Sequence, residues 1–333
     1  MIDLLYRIRR LLYAKGFMSS HELIPKTISV GNIELGGTGK TPFTVWLGCF
    51  LESCGQMGVV LTRGYKRESN KSPIVQITPI NRESLNVSDV GDEALLISKK
   101  LKKSSVIVGP NRLAGYFNRP LIHRDDFVLL EDGHQHLKIR RDLNIVLINS
   151  TTEVDKFKCP PSGYLREGVS SLMEADILIF TKCQDKPTDN EKLIRSLISD
   201  FLKPDALFGR VKFSPSHFEN LKTREIKNLI DLSSMECGVF CGIATPGQFL
   251  GVLSDLNLNI RKELILDNHH KFKESTYSKI NEMSDERFLI CTEKDAIKID
   301  PQKVKGDVLS LVSKVVFLEG EDKIKEKIKS LDL

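Results

Sequence analysis

No apolar run in this chain approaches the roughly 18–20 residues needed to cross a bilayer, so no membrane-spanning helix is expected. A cleavable signal-peptide pattern, an internal repeat and a low-complexity tract are also missing. The chain contains no C-x-x-C pair. Its seven cysteines (Cys49, Cys54, Cys159, Cys183, Cys237, Cys241 and Cys291) are scattered and odd in number. That pattern argues against a metal finger and suits reduced thiols in a cytosolic compartment. Charge of one sign does not dominate. The formal net charge is +5, spread along the chain, and no nucleic-acid partner is expected.

What is present is a core-forming composition of 333 residues, 41% of them hydrophobic. That length favours two α/β domains over one small domain. The chain alternates strand-like and helix-like stretches throughout, with a boundary expected near 200–215. This gives a larger unit over 1–205 and a smaller one over 206–333.

The most informative stretch is ISVGNIELGGTGKTP, residues 28–42. An apolar, β-branched run meets a glycine-rich turn (Gly36, Gly37, Thr38, Gly39), then Lys40 and Thr41, then a segment suited to a helix. A phosphate-binding loop needs this order. Glycines let backbone N–H groups turn inward, the helix N-terminus adds partial positive charge, the lysine reaches the β- and γ-phosphates, and the threonine hydroxyl suits Mg²⁺. The usual spacing asks for glycine at position 34, where this chain has Glu34, and Gly31 lies three residues too early. Gly37 can supply the missing flexibility.

Other chemistry-bearing residues sit just past strand-like runs, where α/β sheets bind ligands. Thr62-Arg63-Gly64-Tyr65-Lys66-Arg67 follows one such run and reads as a ligand loop or a solvated one. Asp92 and Glu93 open a helical stretch. They suit simple capping of its dipole, or a general base facing a phosphate. Arg112 follows another strand. FVLL at 127–130 ends in Glu131-Asp132, the Walker-B arrangement that holds Mg²⁺ opposite the phosphate loop. His134 and His136 lack an obvious third metal ligand. Thr181-Lys182 with Asp185 has the form of a short guanine-reading motif. In the second half, His269 and His270 read as polar surface, or as a proton-handling group if a carboxylate faces them. Residues 2–17 place Leu4, Leu5, Ile8, Leu11 and Leu12 on one stripe flanked by Arg7, Arg9 and Arg10. Such a helix lies in a membrane interface or packs on its own domain.

Read together, GNIELGGTGKTP, LTRGYKR, VGDEALL, PNR, EDGHQHLKIRRDLNIVLI, PSGYLRE, EADILIFTK, FCGIATPGQF, DNHH and TEKDAIK resemble the tetraacyldisaccharide 4′-kinase family, the lipid A kinases. The resemblance runs from the N-terminal helix to the TEKD segment. It implies a fold of two α/β/α domains, the larger N-terminal one built on a parallel sheet of the P-loop NTPase type, the smaller C-terminal one closing the cleft. It implies ATP and Mg²⁺ as cofactors, and transfer of the γ-phosphoryl group to the 4′-hydroxyl of a lipid A disaccharide 1-phosphate. The expected location is the cytoplasmic face of the inner membrane, as a peripheral protein, with no obligate protein partner.

Position by position, the resemblance implies nucleotide binding by Gly36, Gly37, Thr38, Gly39, Lys40 and Thr41. Metal binding falls to Thr41 and Asp132, with Glu131 beside them. Asp92 matches the family's catalytic base and His269 its partner. Glu93, Arg112, Gln135, His136, Arg166 and Glu167 fall on other active-site positions. Three residues depart from the family pattern: Glu131 stands where an aspartate is usual, His134 where an aromatic is usual, and Asn268 where an aspartate precedes the histidines. The competing reading is a membrane-associated ATPase or GTPase switch, or a metallochaperone. Such switches usually carry a lysine at position 35, which here is Leu35.

Overall fold

The structure is a computed structural model and describes residues 2–64, 67, 74–120, 124–283 and 287–332. It is an α/β fold in which the chain groups into two units. The larger comprises Met1–Leu85, Ile97–Phe213 and Val315–Leu333, the smaller Asn86–Leu96 and Ser214–Lys314. Residues 86–96 therefore group with the second half of the chain and 315–333 with the first, which a single cut after residue 205 does not provide.

In chain order the described elements begin with α1 (Ile2–Ala14), β1 (Lys26–Asn32), α2 (Lys40–Ser53), β2 (Gly58–Thr62), β3 (Val75–Ile77), α3 (Val87–Val90), α4 (Asp92–Lys100), β4 (Ser105–Val108), α5 (Arg112–Phe117), β5 (Phe127–Glu131), β6 (Leu143–Asn149), β7 (Ile177–Thr181) and α6 (Asp189–Ile198). They continue with β8 (Leu207–Asn220), β9 (Ile226–Lys227), β10 (Glu236–Cys241), α7 (Pro246–Asp255), β11 (Asn259–Ile265), α8 (Glu274–Asn281), β12 (Leu289–Thr292), α9 (Glu293–Ala296), β13 (Val308–Glu319) and α10 (Glu321–Lys329).

In the larger unit the strand order is β8-β7-β6-β1-β5-β2-β4-β3. Neighbours from β8 to β4 run parallel, and β3 alone is antiparallel to its neighbour β4. Parallel strands covered by helices on both faces read as continuous apolar runs. β5 (FVLLE) and β7 (ILIFT) show this and are buried along their whole length. α5 and β2 share a cluster in which Tyr116 meets Val59, Leu61, Ile107, Val128 and Leu130. α6 lays Ile194 and Ile198 on a second cluster with Val146, Ile148, Leu178 and Phe180.

β1 is the central strand, paired with β5 on one side and β6 on the other. Val30 stands opposite Glu131 in the β1–β5 register, so the turns after these two strands emerge side by side. Gly31, too early to serve the phosphate loop, has a packing role inside β1. A Cβ there would lie 2.5 Å from both the Cβ and the backbone nitrogen of His134. The imidazole of His134, fully buried, occupies the aromatic position of the family pattern, and its Nδ1 lies 3.1 Å from Asn144 Nδ2.

In the smaller unit β11, β10, β12 and β13 pair in that order, all parallel. Side chains alternate between two faces, as a sheet with period two requires. Val239, Ile290 and Leu309 pack with Leu253 of α7, while Phe240, Leu289, Cys291 and Val308 pack with Tyr277 and Ile280 of α8. The unit is thus a small α/β/α sandwich. All seven cysteines are free thiols. Among the described residues no helix is long and apolar enough to cross a membrane.

Replacing Gly31 by alanine forces the β1 backbone away from His134. Overpacking of this kind costs about 1–3 kcal/mol, so Gly31→Ala should lower the urea midpoint without changing the slope. An unchanged midpoint would show that the strand and His134 separate freely.

Candidate active site

The turn after β1 is built from both glycine geometry and fixed hydrogen bonds. Gly36 and Gly39 adopt φ values of 101° and 85°, which side chains with a Cβ avoid. At Gly39 a Cβ would also fall 2.2 Å from the ring of Phe213. Asn32 Nδ2 donates to the Glu34 carbonyl and to Thr38 Oγ1, both at 2.9 Å. Thr181 Oγ1, at the end of β7, donates to the Thr38 carbonyl at 2.8 Å. Thr181 therefore braces the loop, while Asp185, the proposed guanine reader, bonds Lys212 Nζ at 2.6 Å.

Glu34 stands where the usual pattern has glycine, and it turns inward. Its carboxylate accepts the Asn149 N–H at 2.7 Å and the Thr152 hydroxyl. Burial raises its carboxyl above the ordinary glutamate range, against the opposing pull of Thr152, Asn149, Lys182 and Lys40. The flanking peptides pair with the loop at 164–166. Leu35 N–H donates to the Tyr164 carbonyl at 2.6 Å, and Arg166 N–H to the Ile33 carbonyl at 2.7 Å. That pairing sets Arg166 beside the phosphate loop.

Asp132 follows β5 with φ of 52°, a left-handed conformation that aspartate tolerates. Arg166 donates to both of its carboxylate oxygens, at 2.8 and 3.1 Å. Lys40 Nζ lies 3.5 Å from Oδ1, and Arg112 donates to the Asp132 carbonyl at 3.1 Å. Burial alone would raise the Asp132 carboxyl, but Lys40, Arg166 and Arg112 outweigh it and hold it below the usual aspartate range. Glu131 is buried within β5, and its Oε2 accepts the Thr62 hydroxyl at 2.9 Å.

These groups open onto a cleft of about 620 Å³ whose lining includes Tyr6, Arg112, Asp132, Gln135, His136 and Arg166. Arg63, from the loop after β2, also lines it. Gln135 Nε2 donates to the Asn32 carbonyl at 2.8 Å and lies 3.3 Å from Glu167 Oε2. Glu167 is buried and binds Arg10 of α1 through both oxygens. Its visible work is to tie α1 to this wall, a long-range contact that no local motif signals. Arg10 also pairs with Glu174, Arg9 donates to the Gln135 carbonyl, and Asp3 accepts the Gly168 N–H. The polar side of α1 therefore faces the protein. Leu4, Leu5, Ile8, Leu11 and Leu12 are left 37% to 62% exposed.

The smaller unit carries the remaining candidates. Asp92 and Glu93 form the first turn of α4. Asp92 is buried, and its Oδ2 lies 2.7 Å from His269 Nδ1, while its Oδ1 accepts the Glu93 N–H at 3.0 Å. Glu93 faces Lys294 at 3.6 Å. His269 has φ of 62° on the turn after β11. His270 points elsewhere, to Thr276 Oγ1 at 2.8 Å. Asn268 is exposed on the same turn.

A family model described as tetraacyldisaccharide-1-P 4′-kinase matches residues 1–331. The chain belongs to that family. A tetraacyldisaccharide 4′-kinase of Chlamydia abortus is 32% identical over 283 residues, 84% of this chain and 74% of that one. That of Aquifex aeolicus is 30% identical over 322 residues, covering 96% and 92%. A crystal structure from Aquifex aeolicus, described as an "apo" form of LpxK in complex with ATP, superposes with a TM-score of 0.82. It is 27% identical and covers all of this chain and 96% of that one.

Membership in this kinase family decides between the two readings left open by the sequence, the kinase and the nucleotide switch. Among the described residues no group of three or more His, Cys, Asp or Glu could hold a metal. Tyr65 and Lys66 of the arginine-rich loop lie outside the described residues.

His136 is held neutral. Burial lowers its pKa to about 3, reinforced by Arg112, Arg9, Arg141 and Lys138. Among the described residues its buried Nε2 has no hydrogen-bond partner. The unfolded chain binds this proton near the ordinary value of 6.5, the folded protein only near 3. Acid therefore favours unfolding across that window. His136→Asn should reduce the loss of stability between about pH 7 and about pH 4, read as urea midpoints. An equal loss in both proteins would remove His136 from this role.

Proposed function

We propose that this protein transfers the γ-phosphoryl group of ATP to the 4′-hydroxyl of a tetraacyldisaccharide 1-phosphate. The observation that carries the reading is the family match along residues 1–331, on a chain that keeps the phosphate loop, Lys40 and Asp132 together. Gly36–Thr41 bind the nucleotide phosphates, with backbone N–H groups and the α2 N-terminus supplying the donors.

The donor set fits Mg²⁺. One hydroxyl, Thr41, and one carboxylate, Asp132, suit an ion that takes its other oxygens from phosphate and water, as Mg²⁺ commonly does. When bound, Mg²⁺ neutralises charge on the phosphate oxygens. Glu131, one methylene longer than the usual aspartate, supports the end of β5 through Thr62. Arg166 and Arg112 offset charge on the transferring group or hold the acceptor's own phosphate. Neutral His136, Gln135 and Tyr6 suit the sugar hydroxyls in the cleft.

Asp92 takes the 4′-hydroxyl proton as that oxygen attacks the γ-phosphorus, the bond from that phosphorus to the bridging oxygen breaks, and ADP leaves. His269 holds the Asp92 carboxylate and relays that proton or tunes the base. Phosphoryl transfer depends on positioning and charge neutralisation more than on covalent chemistry. General-base assistance is worth about 10²–10⁴-fold. Asp92→Ala should lose at least about 10²-fold in kcat with ATP affinity little changed. The assay follows γ-labelled phosphate into the lipid. Near-normal kcat would remove Asp92 from the base role, and phosphate release without lipid labelling would overturn the lipid acceptor.

α1 is read as the contact with the cytoplasmic face of the inner membrane. A helix whose polar side is bound to its own protein and whose leucines face out is suited to an interface. Leu4→Asp with Leu11→Asp should weaken sedimentation with phosphatidylglycerol-containing vesicles by about tenfold or more and leave the thermal midpoint unchanged. Unaltered vesicle binding would remove α1 from this role.

A further inference from the structure

The segment TEKDAIK, 292–298, has no part in the chemistry described so far, yet it binds a neighbour of each member of the Asp92–His269 pair, Gly242 beside His269 and Glu93 beside Asp92. Asp295 is fully buried. Its Oδ2 accepts the Gly242 N–H at 3.1 Å and the Thr292 hydroxyl at 2.7 Å, and its Oδ1 lies 3.3 Å from Lys298 Nζ. The Gly242 carbonyl in turn accepts the His269 N–H at 3.1 Å. Two hydrogen bonds thus link the Asp295 carboxylate, through the single residue Gly242, to the backbone of His269.

That backbone needs holding. His269 is in the left-handed region at φ 62°, a conformation that costs a non-glycine residue energy and persists only where its surroundings impose it. Gly242 is the close-approach point. A Cβ there would meet the Asp267 carbonyl at 3.0 Å, His270 Cβ at 3.2 Å and Asp295 Oδ1 at 3.3 Å. On the other side, Lys294 pairs with Glu93, whose N–H donates to Asp92 Oδ1.

We propose that Thr292–Lys298 is the positioning element of the Asp92–His269 pair. Asp295 fixes the backbone of His269 through Gly242, and Lys294 fixes the first turn of α4 through Glu93. The inference rests on the reading of Asp92 and His269 as the proton-handling pair. Asp295 and Lys294 are positioning residues and touch neither substrate in this scheme. A buried carboxylate paired with a buried lysine serves here to orient a strained turn, which a mere core contact would not require.

The test is a double-mutant cycle on the full-length enzyme. Asp295→Asn is combined with Lys298→Met so that neither charge is left buried alone. Thr292→Val is the milder variant and carries the same test should the pair fail to fold. Expected is a fall in kcat of about tenfold or more, since a small misplacement of a reacting group costs up to about 10²-fold. The KM for ATP should stay within about twofold. In a His269→Ala background the same changes should add less than about twofold. Backbone amide exchange at Gly242 and His269 should accelerate in either variant. Equal fold-losses in the two backgrounds, or unchanged exchange at those amides, would overturn the positioning role while leaving the pair intact. A His269→Ala enzyme with normal kcat would overturn the pair itself, and this inference with it.

Discussion

The pairing of β1 with β5 is the constraint on which the larger unit depends. Both strands are buried and parallel, and their register puts Val30 against Glu131. A slip of one residue would reverse every side chain on a strand whose two faces are both packed. With the register fixed, the turn after β1 and the turn after β5 must leave the sheet together. The first supplies backbone N–H groups and Lys40, the second Asp132. The order of strands puts β5 between β1 and β2, so these two are not neighbours, and α2, which joins them, packs against both β1 and β5.

Electrostatics at this junction follow from that placement. Three cations, Lys40, Arg112 and Arg166, converge on one aspartate, and their combined pull keeps its carboxyl ionised despite burial. A site arranged this way carries more positive than negative charge, which suits phosphate oxygens. The same Arg112, with Arg9 and Arg141 beside it, adds to burial in denying His136 its proton. One cluster therefore favours opposite behaviour in two titratable groups: an acid that stays charged and a base that stays neutral.

What the sequence made legible was local. The phosphate loop, the carboxylate after FVLL and the acidic first turn of α4 can each be read within a dozen residues, because glycine geometry, apolar runs and capping act over that range. The non-local features were not legible. Glu34 looked like a defect in a glycine pattern, and only the fold shows its carboxylate bound to Asn149 and Thr152. Glu167 read as an active-site charge, whereas its partner Arg10 lies 157 residues away. β13 runs from Val308 to Glu319, although LSLVSKVV interrupts its apolar pattern with serine and lysine. No periodicity connects Gly31 in one strand to His134 past another.

The orientation of α1 follows from comparing what each side of the helix can gain. Burying five leucine-like side chains against the protein would ordinarily be the larger gain, at about 25 cal/mol per Å² of apolar surface. The sequence instead puts Asp3, Arg9 and Arg10 on the inward side, where they meet Gly168, Gln135, Glu167 and Glu174. A carboxylate as buried as Glu167 is costly without its guanidinium, so the helix cannot roll over to hide its leucines without exposing that carboxylate to an apolar neighbour. The polar contacts thus fix an apolar face outward, at the wall that also carries Tyr6 into the cleft.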